Sequence, residues 1–521
     1  RQDVIDGCRE LGVGAMRWPG GCCADHYHWK DGVGPERYPR LHPIPEPVNP
    51  VWRHEFGTDE FLRLCELTGA DPVITVNTAT GTPQEFLDWY EYVNGDPRTR
   101  YGRQRAANGH PAPFTVLKYL EIGNENHGAE YQHRYKLFYD RLKAQFPDFI
   151  YISTEHTEQA GLPTEMADDH FYSDPEFFVA NTDMYDKLDR GSVDIYCGEY
   201  AATINCKEGN LYGALGEAAF LTGIERNQDK VLMTSYAPLF QNVKYKAWSP
   251  DMIVFNHYED YVIPSYHMLA MFGANRGKYV CDHTVTTASS RQFETGAFAV
   301  ECSDAFRVQD ILVNNAPCAG VPNRERVLYG DPAANAQSFT ANVLSSGSLH
   351  LRFWDCGRNS DDQEHFDWII EDGCSRVVHY NGWSSETLCA PVCCTLSGQN
   401  TVSIRTEEDR FEICLNGELL HAHTLAVLPH LSAVCTVDDE QIITKMVNFS
   451  EEAISVRLSA DADMCGHAAL TTLTSDSYYA ANSFENKNAV APVVTEVSAA
   501  SDFTLVLPPR SVNILNHPFS K

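Results

Sequence analysis

Two carboxylates that follow apolar segments are the residues whose types and spacing best suggest chemistry. Glu125 follows the apolar run 117–122 and stands beside Asn124, and Glu199 follows a second apolar run at 193–196. In a parallel barrel, functional residues lie where the strands end at the carboxyl face. Two such carboxylates about 5 Å apart can act as acid/base and nucleophile of a retaining glycosidase. Either residue alone could be an ordinary solvated carboxylate, but the pair predicts Glu125 as general acid/base and Glu199 as nucleophile.

A third segment, residues 17–29, combines a Gly-Gly turn with aromatic, basic and histidine side chains. Trp29 and Tyr27 could form an apolar wall for a sugar ring, and Arg17 could orient carboxylates. His26 and His28 could suggest a metal, but no third ligand stands at a recognisable spacing, so no metal site is predicted.

A fourth segment contains His170 and Tyr172, which alternate on a predicted strand and therefore share one face. A tyrosine near a carboxylate nucleophile can donate a hydrogen bond that orients it. Core packing is the alternative for Tyr172. Glu121 lies on the strand before Glu125 and is interpreted as a residue of the barrel interior.

The elements that must position these residues alternate between strand-like and helical patterns up to about residue 283. Apolar runs such as 73–76 and 150–153 are separated by helical spacing, for example at 131–146. This alternation predicts a parallel sheet with helices outside it, which a barrel and an open doubly wound sheet both satisfy. No GxGxxG motif or P-loop follows the first strand, which disfavours a nucleotide-binding fold.

From about residue 284 the pattern changes to short strands separated by turn signals such as Asn416-Gly417. No long helical period appears there, which is typical of β-sandwiches. The predicted domains are a barrel over 1–283, an inserted sandwich over 284–424 and a C-terminal sandwich over 425–521.

Composition excludes several classes of protein. The 521 residues carry a formal net charge of -31, which argues against a nucleic-acid partner because phosphate binding needs concentrated Lys and Arg. No run of 18 apolar residues occurs, so no membrane-spanning segment is predicted. The 17 cysteines show no CxxC pairs at zinc spacing, and free thiols or one or two disulfides are both compatible with the sequence.

At the four segments described above the sequence resembles glycoside hydrolase family 51, the α-L-arabinofuranosidases. The resemblance extends through further motifs in the same order along the chain. These motifs lie at 210–227, 235–240, 248–256, 445–448, 482–484 and 507–511.

The resemblance implies a clan-A (β/α)₈ TIM barrel followed by β-sandwich domains. Glu125 would be the acid/base after strand four, with Asn124 beside it contacting the sugar 2-hydroxyl. Glu199 would be the nucleophile after strand seven, oriented by Tyr172. Asn242 would correspond to a substrate-contacting position.

Three features depart from the family pattern. The family's N-terminal sandwich strands and first barrel strand find no match, so the barrel is expected to be N-terminally short in this chain. Cys22 stands where some members have Asn, at a substrate-binding position. The segment 284–424 resembles a concanavalin-like or laminin-G-like sandwich, whose aromatic residues could pack its core or bind sugar. These residues are Trp354, Phe366, Trp368, Tyr380 and Trp383.

The resulting expectation is a retaining hydrolase that releases terminal α-L-arabinofuranosyl groups from plant polysaccharides or oligosaccharides, with no cofactor. The alternatives are an endo-β-glucanase or xylanase of the same family, or a carbohydrate-binding protein without catalysis. The expected partner is an arabinose-containing saccharide, with no nucleic acid and no membrane. A homo-oligomer and the cellular compartment are left open, with secretion slightly favoured by the lectin-like insertion.

Overall fold

The computed structural model describes the chain with several short gaps. The described residues are 1–41, 51–114, 117–290, 296–301, 305–323, 325–332, 334, 336–345, 347–355, 364–381, 385–396, 398–407, 409–425 and 427–520. Trp383, one of the aromatic residues considered for sugar binding, lies outside them. No helix among the described residues is long and apolar enough to cross a membrane.

The first half of the chain contains strands that alternate with helices. The strands are β1 Ala15–Trp18, β2 Arg40–Leu41, β3 Val51–Trp52, β4 Asp71–Val76, β5 Tyr119–Ile122, β6 Ile150–Ser153, β7 Met166–Ser173, β8 Asp194–Ala202, β9 Val231–Tyr236, β10 Phe240–Asn242, β11 Ile253–Phe255 and β12 Asp260–Val262. The helices are α1 Gln2–Leu11, α2 Thr58–Thr68, α3 Pro83–Asn94, α4 Arg100–Ala107, α5 Gly128–Lys143, α6 Pro175–Ala180, α7 Leu211–Arg226 and α8 Pro264–Ala274.

Seven of these strands form a parallel, nearly closed barrel. Their order is β1-β4-β5-β6-β7-β8-β9, and every neighbouring pair is parallel. The two edge strands, β1 and β9, approach each other. The prediction of a barrel is therefore confirmed, and the alternative of an open sheet is excluded. The described residues supply seven strands of this barrel.

Helix α5 shows why the helices pack on the outside of the barrel. Its buried residues follow the i, i+4, i+7, i+8 and i+11 spacing that the sequence predicts, which places one face on the core and leaves the other in solvent. Helix α7 differs, because nearly every one of its residues is buried. It packs between the barrel and strands of the C-terminal sheet, so both of its faces are covered.

The second half of the chain is made of short strands. They are β13 Tyr279–Val280, β14 Ser289–Ser290, β15 Ala297–Glu301, β16 Phe306–Val313, β17 Ala316–Pro317, β18 Val321–Asn323, β19 Arg326–Tyr329, β20 Gln337–Ser345, β21 Leu349–Asp355, β22 Glu364–Glu371, β23 Cys374–Asn381, β24 Ser385–Thr387, β25 Val392–Cys393, β26 Gly398–Thr406, β27 Arg410–Leu415, β28 Glu418–Thr424, β29 Leu428–Pro429, β30 Leu431–Val437, β31 Gln441–Asn448, β32 Ile454–Ser459, β33 His467–Thr474, β34 Val493–Ser498, β35 Asp502–Leu507 and β36 Ser511–Pro518.

Two sheets enclose the core of the middle region. One has the order β18-β19-β15-β21-β22-β23-β24 and the other β17-β16-β20-β26-β27-β28. A separate sheet, β13-β30-β31-β36-β33-β34, follows in the C-terminal region. Because β13 pairs with β30, the sandwich lies between two neighbouring strands of that C-terminal sheet.

The aromatic residues of the middle sandwich mostly fill its core. Trp354, Phe366 and Trp368 are each at most 2% exposed. Phe353 and Trp354 are both buried, although consecutive residues of a regular strand face opposite sides. The register of β15 and β21 shifts between Ala297 and Ala299, and Trp354 has φ 52°, so the strand is irregular there and turns both rings inward.

Candidate active site

Arg17, on β1, connects residues from several strands. It is buried and donates to Glu121 Oε1 at 2.9 Å, to Asn124 Oδ1 at 2.7 Å and to Glu199 Oε1 at 2.5 Å. Thr75 Oγ1 donates a further hydrogen bond to Glu121. A buried guanidinium that bridges two carboxylates fixes the geometry of both.

The turn after β5 depends on Gly123. It has φ 92°, and a Cβ added there would lie 2.4 Å from Asn126 Oδ1. Asn126 accepts from the Asn124 N–H and donates to Asp25, so the turn is held by side-chain hydrogen bonds. Glu125 follows with φ 50°, a conformation that non-glycine residues adopt rarely and that tends to occur at functional sites.

Asn124 has one group available for a ligand. Its oxygen accepts from Arg17, and its buried Nδ2 has no hydrogen-bond partner among the described residues. A buried amide N–H without a partner costs free energy unless a ligand or water accepts its hydrogen bond. This geometry suits the predicted contact with a sugar hydroxyl.

Glu199 is surrounded by hydrogen-bond donors. Its Oε1 accepts from Arg17 and from the Gly21 N–H, and its Oε2 accepts from the Tyr172 hydroxyl at 2.7 Å. Burial opposes ionisation of Glu199, but Arg17, His170 and Tyr172 outweigh it and lower the pKa of the carboxyl below its usual value. Glu199 is therefore held as a carboxylate.

His170 lies between two carboxylates. Its Nδ1 is 2.9 Å from Glu125 Oε1, and its Nε2 is 2.9 Å from Asp168 Oδ2. Burial lowers the pKa of His170, but hydrogen bonds to Asp168 and Glu125 raise it to about 10. Burial raises the pKa of Asp168 to about 8. The contact with Asp168 therefore favours the charged form of His170.

Asp168 is in turn fixed by the neighbouring strand. Its Oδ1 accepts from the Gly198 N–H at 2.6 Å. A Cβ on Gly198 would lie 2.1 Å from that oxygen, so only glycine allows the carboxylate to approach the backbone of β8. Asp168, His170 and Glu125 thus form one chain of contacts that begins next to Glu199.

The two predicted catalytic carboxylates meet in space. One carboxylate oxygen of Glu125 and one of Glu199 lie within 4.8 Å of each other. This separation suits a retaining pair, because inverting enzymes need a gap wide enough for a water molecule. Both residues line a cavity of about 1080 Å³.

Cys22 and Trp248 lie at the same cavity. Cys22 is exposed, with its Sγ 3.9 Å from Glu125 Oε2. Trp248 is 39% exposed and packs edge-on against Tyr172 with ring centroids 5.4 Å apart. A half-exposed indole beside the nucleophile's tyrosine offers the apolar surface that a sugar ring needs.

One predicted substrate contact, Trp29, is buried away from the site. Trp29 is 1% exposed, donates to the Glu85 carbonyl and packs among aromatic rings of the core, so the prediction that it forms a sugar wall is wrong. Asn242 accepts from the Lys244 N–H and caps a turn, and its contact with substrate stays a prediction. Trp248, which the sequence analysis did not single out, offers the wall instead.

Two groups of ligand atoms in the site could hold a metal ion. They are Glu121 with Asp168 and His170, and Glu125 with His170 and Glu199. In both groups the carboxylates already contact Arg17 or His170. An ion would therefore have to displace these contacts.

A parallel barrel with one glutamate in the turn after β5 and another on β8 has the architecture of the barrel glycoside hydrolases. Residues 8–190 match the profile described as "Alpha-L-arabinofuranosidase 1 domain", and residues 198–511 match "Alpha-L-arabinofuranosidase C-terminal domain". The chain belongs to the α-L-arabinofuranosidases of glycoside hydrolase family 51.

Individual relatives agree with this assignment. The chain is 33% identical over 340 residues to an extracellular exo-α-L-arabinofuranosidase of Streptomyces chartreusis, covering 55% of this chain and 40% of the relative. It is 34% identical over 313 residues to α-L-arabinofuranosidase 1 of Arabidopsis thaliana, covering 55% and 45%. The chain thus spans less than half the length of these curated relatives.

A solved structure shows the same fold over the whole chain. The arabinose complex of α-L-arabinofuranosidase from Thermotoga maritima has a TM-score of 0.67 at 19% identity. The match covers 100% of this chain and 90% of the other. The arrangement of a barrel followed by β-sandwich sheets is therefore common to both proteins.

Proposed function

We propose that this protein hydrolyses terminal α-L-arabinofuranosyl groups with net retention of configuration. The observation that carries the proposal is the approach of Glu125 and Glu199 to within 4.8 Å, with Glu199 held ionised by Arg17 and Tyr172. The Streptomyces and Arabidopsis relatives are α-L-arabinofuranosidases, which supports the choice of sugar.

In the first step the Glu199 carboxylate attacks the anomeric carbon of the arabinofuranosyl group. The bond between that carbon and the glycosidic oxygen breaks, and Glu125 transfers its proton to the departing oxygen. The product is an ester between the sugar and Glu199. Hydrogen bonds from Arg17 and Gly21 fix the attacking carboxylate, so little reorganisation is needed.

In the second step water hydrolyses the ester. Glu125, now a carboxylate, removes a proton from the water as its oxygen bonds to the anomeric carbon, and the Glu199 carboxylate is released. Two inversions at one carbon give net retention. His170 contacts Glu125 at 2.9 Å and so helps to fix the orientation of the acid/base.

The remaining site residues position the sugar. Asn124 donates its unpartnered N–H to the hydroxyl at C2, next to the reacting carbon. Cys22 and Trp248 border the same space and contact the ring. The substrate is an arabinose-containing polysaccharide or oligosaccharide, and the chemistry requires no cofactor.

The test is a panel of nitrophenyl glycosides of α-L-arabinofuranose, β-D-xylopyranose and β-D-glucopyranose, with Glu199→Gln as the inactive control. The arabinofuranoside should be hydrolysed preferentially. Added methanol should yield the methyl α-arabinofuranoside, which records retention. If the glucoside or the xyloside were hydrolysed preferentially, the proposed substrate would be wrong. If the protein bound polysaccharide but hydrolysed no substrate, its function would be carbohydrate binding and not catalysis.

A further inference from the structure

A polar cluster lies on the outer face of the middle sandwich. Leu349, Leu351 and Phe353 of β21 point into the core, so the alternating residues His350 and Arg352 point away from it. The same alternation places residues of β15, β22 and β23 beside them. We call this set the outer-face cluster, and it comprises Glu301, His350, Arg352, His365, Asp367 and Tyr380.

The charges of the outer-face cluster are paired across the strands. Arg352 is opposite Asp367 in the register of β21 and β22, and its Nε donates to Asp367 Oδ1 at 2.9 Å. His350 Nε2 lies 2.8 Å from Asp367, and its Nδ1 lies 3.3 Å from Glu301. Burial lowers the pKa of His350, but these carboxylates raise it to about 9. Asp355 lies 4.0 Å from Arg352 and pairs with Arg326, so with this neighbouring pair three cations balance three carboxylates.

The cluster also contains an aromatic platform. His365 and Tyr380 are opposite each other in β22 and β23, and their rings stack with centroids 4.9 Å apart and planes 12° from parallel. His365 Nε2 lies 3.6 Å from Asp367, so the platform adjoins the charged part. Side-chain exposure rises from 3% at Asp367 to 42% at Glu301, which describes a polar base with an accessible rim.

Pairing with Asp367 and Glu301 favours the charged form of His350, but it does not explain why a polar cluster occupies this face instead of apolar residues. Partly buried ion pairs are often no more stabilising than apolar residues of similar size, because desolvation offsets their attraction. The outer face of a sheet could instead carry ordinary solvated side chains. Clusters of buried and mutually perturbed ionisable groups occur preferentially at functional sites.

We propose that the outer-face cluster binds a neutral polysaccharide, namely the polymer whose arabinofuranosyl groups the barrel removes. A charge-balanced cluster gives no net attraction to an ionic ligand, but it offers acceptors and donors side by side. Vicinal sugar hydroxyls, which both donate and accept, match that pattern. The partly accessible ring of Tyr380, stacked on His365, takes the C–H face of a sugar.

The identity of the polymer rests on the proposed function, whereas the binding site does not. The experiment uses the full chain carrying Glu199→Gln, so that ligand is not consumed, in affinity gels containing arabinoxylan, linear xylan or polygalacturonate. The two neutral polymers should retard the protein, and the acidic one should not. Linear xylan carries no arabinofuranosyl group for the barrel site. Retardation of the protein by linear xylan therefore reports binding at the outer-face cluster.

Tyr380→Ala and His350→Gln should each weaken retardation by about tenfold in apparent affinity, and Tyr380→Phe should retain it. Arg405→Ala is the matched control, because Arg405 is 64% exposed on the opposite sheet. With Glu199 intact, all four variants should hydrolyse the nitrophenyl arabinofuranoside at wild-type rates.

Unchanged retardation in folded Tyr380→Ala and His350→Gln proteins would overturn the proposal. Retardation by polygalacturonate alone, or by no polymer, would overturn it as well. Hydrolysis of the nitrophenyl substrate is measured separately, so failure of polymer binding is distinguishable from failure of the proposed activity. Melting temperatures of each variant show whether a loss of retardation reflects unfolding.

Discussion

The Tyr172 hydroxyl donates a hydrogen bond of 2.7 Å to Glu199 Oε2, although the two residues lie on different strands, β7 and β8. This bond is one of the contacts that lower the pKa of Glu199. It therefore links the phenol directly to the ionisation of the proposed nucleophile.

Tyr172→Phe should lower kcat by roughly 10²-fold, because it removes one preorganised donor to the reacting carboxylate. The pKa of Glu199 should also rise, since a lowering contribution is lost. The acidic limb of the kcat/KM profile should then move to higher pH. A reduced rate with an unshifted acidic limb would show that the phenol does not influence the ionisation of Glu199.

Asp168→Asn should impair acid catalysis through His170. Asp168 contacts His170 but neither carboxylate of the catalytic pair, so it is a positioning residue. Without Asp168, His170 should position Glu125 less well, and kcat/KM for alkyl arabinofuranosides should fall by about 10²-fold. The value for dinitrophenyl arabinofuranoside should fall much less, because a good leaving group needs little protonation. Equal losses on both substrates would point to a general structural defect.

Trp248→Ala and Trp29→Ala should have opposite consequences. Trp248 is half-exposed at the cavity, so its truncation should raise KM and leave the melting temperature nearly unchanged. Trp29 is buried, so its truncation should destabilise the fold by about 3 to 5 kcal/mol. Denaturant unfolding together with initial rates measures both. A raised KM in a stable Trp29→Ala protein would restore the sugar-wall prediction.

His350 should make the stability of the sandwich depend on pH. Its pKa is raised from 6.5 to about 9, so its stabilising contribution is complete below about pH 6.5 and is lost as pH rises through 9. The loss should be roughly 3 kcal/mol between pH 6.5 and 10. His350→Gln should flatten that part of the stability profile, while His467→Gln, at an exposed position, should not.

The sequence could predict features that depend on local pattern. The spacing of Tyr131, Tyr135 and Leu142 is enough to predict helix α5 and its buried face. The position of Glu125 after an apolar run and a glycine is enough to predict a strand end at the carboxyl face. Alternation of strands and helices predicts the parallel sheet, and the family resemblance selects the barrel.

Features that depend on contacts between distant segments could not be predicted in this way. Asp168 is positioned because Gly198, on another strand, has no side chain. Trp29 and Trp248 are indistinguishable as residue types, and only packing buries the first and exposes the second. Trp354 turns inward because of an irregularity that strand alternation does not predict.

The central claim is that Glu125 is the acid/base and Glu199 the nucleophile of a double displacement. The most direct test uses azide with Glu125→Ala and Glu199→Ala proteins and an activated aryl arabinofuranoside. Both variants should lose activity by several powers of ten without azide, because the chemistry has no alternative route.

With azide, the Glu125→Ala protein should form its ester on Glu199 and release α-arabinofuranosyl azide, since azide then attacks the ester from the opposite side. The Glu199→Ala protein should give the β-azide, because azide takes the place of the nucleophile in a single displacement. NMR of the two products distinguishes the roles. The β-azide from Glu125→Ala, the α-azide from Glu199→Ala, or wild-type rates in either variant would contradict the assignment.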